Sequence, residues 1–316
     1  MGENDPVHQP HPPVVTIIGP TASGKSDLSL SLAALLDGEV VNADSMQLYR
    51  GMDIGTAKLP PESRAGIAHH LLDIWDVRQT ANVAHFQQQA RAAVADIRAC
   101  GRVPIVVGGS GLYVRALLDD LRFPGTDEDL RARLQQQLDS VGPEAMHERL
   151  AALDPAAAAA ILPSNGRRIV RALEVIELTG LEFAATLPQP APVIDSLTIG
   201  LAIPRDVLDA RIAQRVEQMW RAGLVAEVLA LCELGLEQGL TARKALGYAQ
   251  ILDALHAGRN PDTAAEPTIA ATRRFARRQW SWFERDRAVH WLDWDRPDLA
   301  AHIRTLWSAH ADTATP

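Results

Sequence analysis

The sequence predicts an α/β fold: a parallel sheet entered through a phosphate-binding loop, with a helical insertion between two parts of the core. Three observations carry this prediction. Apolar, β-branched runs alternate with helix-length segments over roughly the first 120 residues, the pattern of a doubly wound sheet. The first run, VVTIIG, leads directly into GPTASGKS at residues 19–26, a G-x-x-x-x-G-K-[ST] spacing that belongs between a strand and a helix. From about residue 121 the strand candidates stop, and they resume only with LTIGLAIP at 197–204.

In chain order, VVTIIG reads as a buried parallel strand stopped by Gly19. SDLSLSLAALL has helical spacing, EVVNAD is a second strand closing at Asp44, and HHLLDIW is a third. ANVAHFQQQARAAVADIRAC is a helix and RVPIVVGG a buried strand with a glycine exit. The next segment is helical, punctuated by GP, DP and LPSNG, and the proline-bearing ATLPQPAPVIDS leads out of it. LTIGLAIP returns to the sheet, helices follow, and AVHWLDW is a final short strand. The expected division is a disordered lead-in at 1–13, a P-loop NTPase-like parallel sheet core from 14–120 and 197–316, and a helical insertion domain at 121–196.

Composition narrows the class. Of 316 residues, 47% are hydrophobic and 22% charged, ordinary for a globular chain, and no apolar run reaches membrane-spanning length. The two cysteines, Cys100 and Cys232, lack metal-ligand spacing, and the acidic, proline-rich start has no apolar signal region, so a cytoplasmic setting is expected. A net charge of −8 argues against a chain coated in nucleic acid. The basic residues are clustered, however: TRRFARRQWSWFERDR carries six arginines, and NGRRIVRALE carries Arg167, Arg168 and Arg171. Two local basic stripes suit a polyanionic partner bound at one face.

GPTASGKS is the strongest chemical signal. Backbone N–H groups within residues 20–26, Pro20 itself having none, would face phosphate oxygens, assisted by the helix N-terminus. Lys25 would reach bridging or terminal oxygens, and the Ser26 hydroxyl would hold Mg²⁺. A nucleotide-hydrolysing site usually adds a strand ending in an acidic residue; only Asp73 and Asp76 offer themselves, and RVPIVVGGSG ends in glycines. That gap suggests a ligand with phosphates but no nucleoside. Asp44 closes the second strand, so it should share the crevice with those phosphates. It is read as a base, a metal support, or, with Ser45, a helix cap. Gln47 and Tyr49 suit a planar polar substrate, and Tyr49 equally suits packing.

GPTASGKS, NADSMQLYRGMDIGTAK, HHLLDI, VVGGSGLY, RALEV, KALGYAQ and ATRRFARRQWSWF occur in the order found in bacterial tRNA dimethylallyltransferases, also called tRNA isopentenyltransferases. The sequence resembles that family from about residue 14 to 294. The resemblance implies transfer of a dimethylallyl group from dimethylallyl diphosphate to N6 of adenosine 37, in tRNAs reading codons that start with U. The loop would then cradle a leaving group, with Mg²⁺ as cofactor. Gly19, Pro20, Thr21, Ala22, Ser23, Gly24, Lys25 and Ser26 would bind the diphosphate, with Thr21 near its bridging region. Asp44 would accept the N6 proton. Arg243 or Lys244 would help hold the diphosphate, Lys244 standing where the family usually has arginine.

The same resemblance implies contacts to the anticodon stem-loop. Asp44, Ser45, Met46 and Gln47 would read the extruded base. Ser110, Arg131, Arg167, Arg168 and Arg171 would touch tRNA, as would Lys244, Gly247 and Tyr248. On the last long helix, Gln279 would contact a base edge and Arg277 and Arg278 phosphates, with Trp282 beside them. By helical spacing alone Trp280, Trp282 and Phe283 belong to a core and Arg273 and Arg274 to a solvated face, while the resemblance implies that His69 and His70 are structural residues. No membrane is implied, and a monomer suffices. Three other readings compete: a P-loop small-molecule kinase, a tRNA-binding module that only senses phosphate, and a transferase acting on free AMP. The kinase leaves both arginine clusters unexplained, the module leaves Asp44 idle, and the AMP reading leaves the insertion unused.

Overall fold

The structure is a computed structural model that describes residues 12–185, 189 and 191–313. Residues 1–11 of the expected lead-in, and 186–188 and 190 of the segment leaving the insertion, lie outside the described residues. Pro12 and Pro13 are held, against the expectation of disorder there. Arg98 Nε donates to the Pro12 carbonyl at 3.0 Å, and Trp307 Nε1 to that of Pro13 at 2.8 Å.

The chain forms two compact units, 12–119 with 192–316 (described to 313) and 120–191. The first is built on a six-stranded sheet: β1 (Val14–Ile18), β2 (Gly38–Asn42), β3 (His69–His70), β4 (Val103–Gly108), β5 (Ser196–Ala202) and β6 (His290–Asp293). Every neighbouring pair is parallel, in the order β3-β2-β4-β1-β5-β6. β1 is buried throughout, and its side chains alternate between two cores. Val14 and Ile18 join Phe86, Val94 and Leu117 on one face, against α2 (Val83–Ala99) and α3 (Gly111–Leu118). Val15 and Ile17 join Leu28, Leu32, Leu299 and Ile303 on the other, against α1 (Lys25–Leu36) and, late in the chain, a helix at Leu299–Thr313. Helices on both faces are what fully apolar parallel strands require.

The third strand is shorter than HHLLDIW suggests. It stops at His70 because Leu71 and Asp73 take positive φ values of 62° and 58°, which no strand continues through. Trp75 returns as an isolated parallel bridge to Tyr49.

The second unit contains α4 (Glu128–Leu153), α5 (Pro155–Ala160) and α6 (Gly166–Thr179). The punctuation read from the sequence falls at its joints: Gly142–Pro143 breaks α4, Asp154–Pro155 starts α5, and Asn165 caps α6 through Arg168 N–H. Leu130, Leu134, Met146, Leu150, Ile169 and Leu173 form its own core. After β5 come α7 (Arg205–Arg221), α8 (Leu224–Glu233), α9 (Tyr248–His256) and α10 (Ala265–Phe283), then β6 and α11, the Leu299–Thr313 helix. Among the described residues no helix is long and apolar enough to cross a membrane.

Candidate active site

The phosphate loop leaves β1 at Gly19 and enters α1 at Lys25. Ala22 and Gly24 take φ values of +65° and +97°, so the chain coils tightly; contrary to expectation, the Thr21 and Ser23 amides donate within the protein, to Gln279 Oε1 and the Pro20 carbonyl. Ala22 is anchored among Ile203, Leu208, Ile212 and Ala276. Three hydrogen bonds brace the loop. Thr21 N–H donates to Gln279 Oε1 at 2.9 Å, Arg211 Nε donates to the Ala22 carbonyl at 2.8 Å, and Lys25 Nζ donates to that of Pro20 at 2.6 Å.

Beside the loop lies a cavity of about 720 Å³, lined by Thr21 to Asp27, the exits of β2 and β4, the 53–60 loop, α7 and Gln279. Its electrostatics are unbalanced toward positive. Lys25 is pushed down to about 7, first by burial and then by the neighbouring Arg215, with Asp44 opposing. Burial also lowers Arg215, and its guanidinium has no hydrogen-bond partner among the described residues. The buried Ser23 hydroxyl and His69 Nε2, both on the lining, also lack protein partners. The cations and the orphaned Ser23 hydroxyl are what a bound polyanion would satisfy, whereas His69, with Nδ1–H given to the Ile67 carbonyl, presents Nε2 as an acceptor and calls for a donor.

Asp44 stands on the lining just past β2. Its N–H donates to Asn42 Oδ1 and its Oδ1 accepts from Met46 N–H, both at 2.9 Å. The cap and the base are therefore compatible: one oxygen holds the turn, and Oδ2 has no hydrogen bond among the described residues. Gln47 also lines the cavity, with Nε2 donating to the Thr56 carbonyl at 3.0 Å. Tyr49 is fully buried, its hydroxyl donating to the Gln79 carbonyl, which makes it packing.

Thr21, Ala22, Ser23, Gly24, Lys25, Ser26, Asp44, Gln47 and Gln279 thus meet at one cavity; Gly19 and Pro20 shape the loop from outside the lining. Several expected residues are elsewhere. Arg243 and Lys244 are exposed and off the lining, with Arg243 donating to the Glu237 carbonyl. The arginines that do line the cavity are Arg211 and Arg215. The sequence held a signal for that pair: RIAQR puts two arginines four residues apart on one face of α7. Tyr248 is fully buried and Gly247 buried beside it. The Tyr248 hydroxyl donates to Glu227, which also accepts from the Asp53, Ile54 and Gly55 amides and so pins the 53–60 wall. Asp73 bonds Lys58 and Asp76 bonds Arg78, and neither lines the cavity, so both cease to be metal-support candidates. His70 pairs with Glu39, whereas His69 faces the cavity, donating through Nδ1 to the Ile67 carbonyl.

Outside the cavity, the Ser45 and Ser110 hydroxyls are 3.5 Å apart. Met46 packs against the sheet core. On α10, Arg277, Arg278 and Trp282 are exposed, so Trp282 is not core as its spacing suggested. Phe283 is buried and Trp280 packs on Trp291. Arg273 donates to the Asp209 carbonyl rather than lying free on a solvated face. In the helical unit Arg167 is exposed and Arg168 donates to the Ala185 carbonyl. Arg131 and Arg171 grip the fully buried Glu174 carboxylate at 2.6 and 2.8 Å.

Fold and site together define a P-loop α/β protein whose loop borders a cavity that holds the Asp44 carboxylate and the cations Lys25, Arg211 and Arg215. A family model described as IPP transferase matches residues 47–286. The tRNA dimethylallyltransferase of Thermobifida fusca is 60% identical over 95% of both chains, and that of Streptomyces avermitilis 61% over 92% of this chain and 93% of its own. The solved tRNA isopentenylpyrophosphate transferase of Bacillus halodurans is 39% identical with a TM-score of 0.72, covering 96% of this chain and 98% of its own. A eukaryotic dimethylallyltransferase solved acting on tRNA has a TM-score of 0.80 at 28% identity, over 93% of this chain and 78% of its own. The chain belongs to the IPP transferase family.

Proposed function

We propose that the chain transfers a dimethylallyl group from dimethylallyl diphosphate to N6 of adenosine 37, in tRNAs reading codons that begin with U. The observation that carries the reading is that a carboxylate with one oxygen unbonded among the described residues and two neighbouring buried cations, Lys25 and Arg215, face one cavity. The relatives named above supply the class of acceptor. The proposed setting is the cytosol, with the chain acting as a monomer on the anticodon stem-loop.

The adenine amine is a weak nucleophile because its lone pair is shared with the ring. The reaction therefore needs an electrophile already ionising and an acceptor for the proton. The bond from the allylic carbon to the diphosphate oxygen breaks, and the electron pair leaves with the diphosphate. Loop amides, Lys25 and Arg215 meet that charge. N6 bonds to the same carbon and its proton passes to Asp44 Oδ2, an assistance typically of about 10² to 10⁴ in rate. The base must be extruded from its stack to reach a carbon inside the cavity. Magnesium fits the residues present: the Ser26 hydroxyl lines the cavity without a hydrogen-bond partner among the described residues, and hard oxygen donors suit that ion. Bound there, it would offset diphosphate charge.

The test mixes purified protein, Mg²⁺, unmodified tRNA and dimethylallyl diphosphate without ATP, then weighs the digested nucleosides by mass spectrometry. An adenosine heavier by one C5H8 unit is expected, falling about 10²-fold or more in rate with Asp44→Asn. Unchanged tRNA from folded protein would sink the proposal.

A further inference from the structure

Gln279 lies near the end of α10 and is 6% exposed, with both ends of its carboxamide engaged. Oε1 accepts from Thr21 N–H at 2.9 Å, and Nε2 donates to the Gly109 carbonyl at 2.9 Å. Those partners lie 258 and 170 residues away and belong to different loops, the exits of β1 and β4. The orientation of the amide is fixed by chemistry, because only its oxygen can accept and only its nitrogen donate. Glycine is required opposite: a Cβ on Gly109 would run into the Gln279 amide nitrogen. One turn on, a Cβ on Gly111 would collide with the Trp282 indole in the same way, so the end of α10 is seated on the β4 exit.

We propose that Gln279 is a positioning residue for the phosphate cradle, acting through Thr21, and not a reader of the RNA base. With oxygen and nitrogen each tied to main chain, the side chain's place is set by two loops, and at 6% exposure its second N–H and lone pair are left little open to a base edge. What it does supply is shape. It pins the Thr21 amide and levels the loop against the glycine exit of β4, where the cavity's phosphate end lies. This inference rests on the diphosphate-donor reading given above.

The experiment measures three quantities for each variant: binding of inorganic diphosphate with Mg²⁺ by calorimetry, binding of an anticodon stem-loop RNA by anisotropy, and steady-state KM for each substrate. Gln279→Met keeps the volume and removes the amide. It is expected to weaken diphosphate binding on the order of tenfold, raise KM for the donor similarly, and leave RNA affinity unchanged. Gln279→Glu, which retains the acceptor for Thr21 N–H, should recover part of the loss. Gly109→Ala should weaken diphosphate binding as well, and the double variant with Gln279→Met should be less impaired than the sum of the two. If Gln279→Met melts, Gln279→Glu and Gly109→Ala still decide the matter. Unchanged diphosphate binding with weakened RNA binding, in any of these variants, would overturn the proposal in favour of base reading. Parent protein that binds RNA but no diphosphate would fail the donor assignment itself, and the cradle with it.

Discussion

Lys25 carries the sharpest consequence of a single residue. Its ammonium is destabilised by burial and by Arg215, so the folded chain releases the proton near pH 7 whereas an unfolded lysine holds it to 10.5. Between those values the unfolded chain binds more protons, so the residue's destabilising effect is full and constant below pH 7 and fades as pH rises from 7 toward 10.5. A diphosphate in the cradle reverses the preference by favouring the charged form. Diphosphate binding at pH 8.5 is therefore expected to take up about one proton, and uptake should vanish near pH 5.5 and in Lys25→Met. Calorimetry in buffers of different ionisation heat measures it; equal heats in all buffers at pH 8.5 would contradict it. Arg215→Ala should weaken diphosphate binding by roughly 10- to 100-fold, with Arg243→Ala close to neutral in the same assay.

At the scale of elements, the arginine cluster of α6 divides by burial rather than by sequence. Arg171 shares Glu174 with Arg131, and the Asp127 amide adds a third bond at 3.1 Å. Burial works to raise that carboxyl, but the hydrogen bonds from Arg171 and Arg131 outweigh it and hold it below the ordinary value. Glu174 thus ties α4 to α6, and removing it takes the ion-pair partner from both arginines, of which Arg171 keeps the Pro124 and Gly125 carbonyls. Glu174→Ala is expected to cost about 3 kcal/mol of stability in the helical unit, read as earlier melting followed by circular dichroism. Arg167→Ala, on the exposed face of the same helix, should leave melting alone and weaken RNA binding. The reverse pattern would mean that the cluster's roles are exchanged.

Across the whole molecule, the strand runs, the insertion and the phosphate loop were legible because each has a local signature. VVTIIG is apolar at every position of a buried strand except Thr16, and GP, DP and LPSNG mark real joints. What escaped was set by distant partners. HHLLDIW lost most of its strand to a turn in which Asp73 meets Lys58, a pairing that composition does not announce. Arg211 and Arg215 looked like ordinary surface arginines until α7 was laid against the loop. Tyr248 looked like an RNA contact until Glu227 was found beneath it. Sequence spacing identifies the loop; only the tertiary arrangement shows what braces it.

The bracing of that loop also orders its assembly in time. Thr21 is made early in synthesis, but the groups that steady its loop, Arg211 and Gln279, follow 189 and 258 residues after their partners. A growing chain thus carries the motif long before it carries the site. Contacts of such sequence separation form late, after the entropy of closing a long loop has been met. A chain ending at residue 260 would retain the first five strands but lack α10, and it is expected to bind inorganic diphosphate far more weakly than the full chain in equilibrium dialysis. A product of translation interrupted before α10 would then capture little donor, and the cavity would become competent only once α10 has been made.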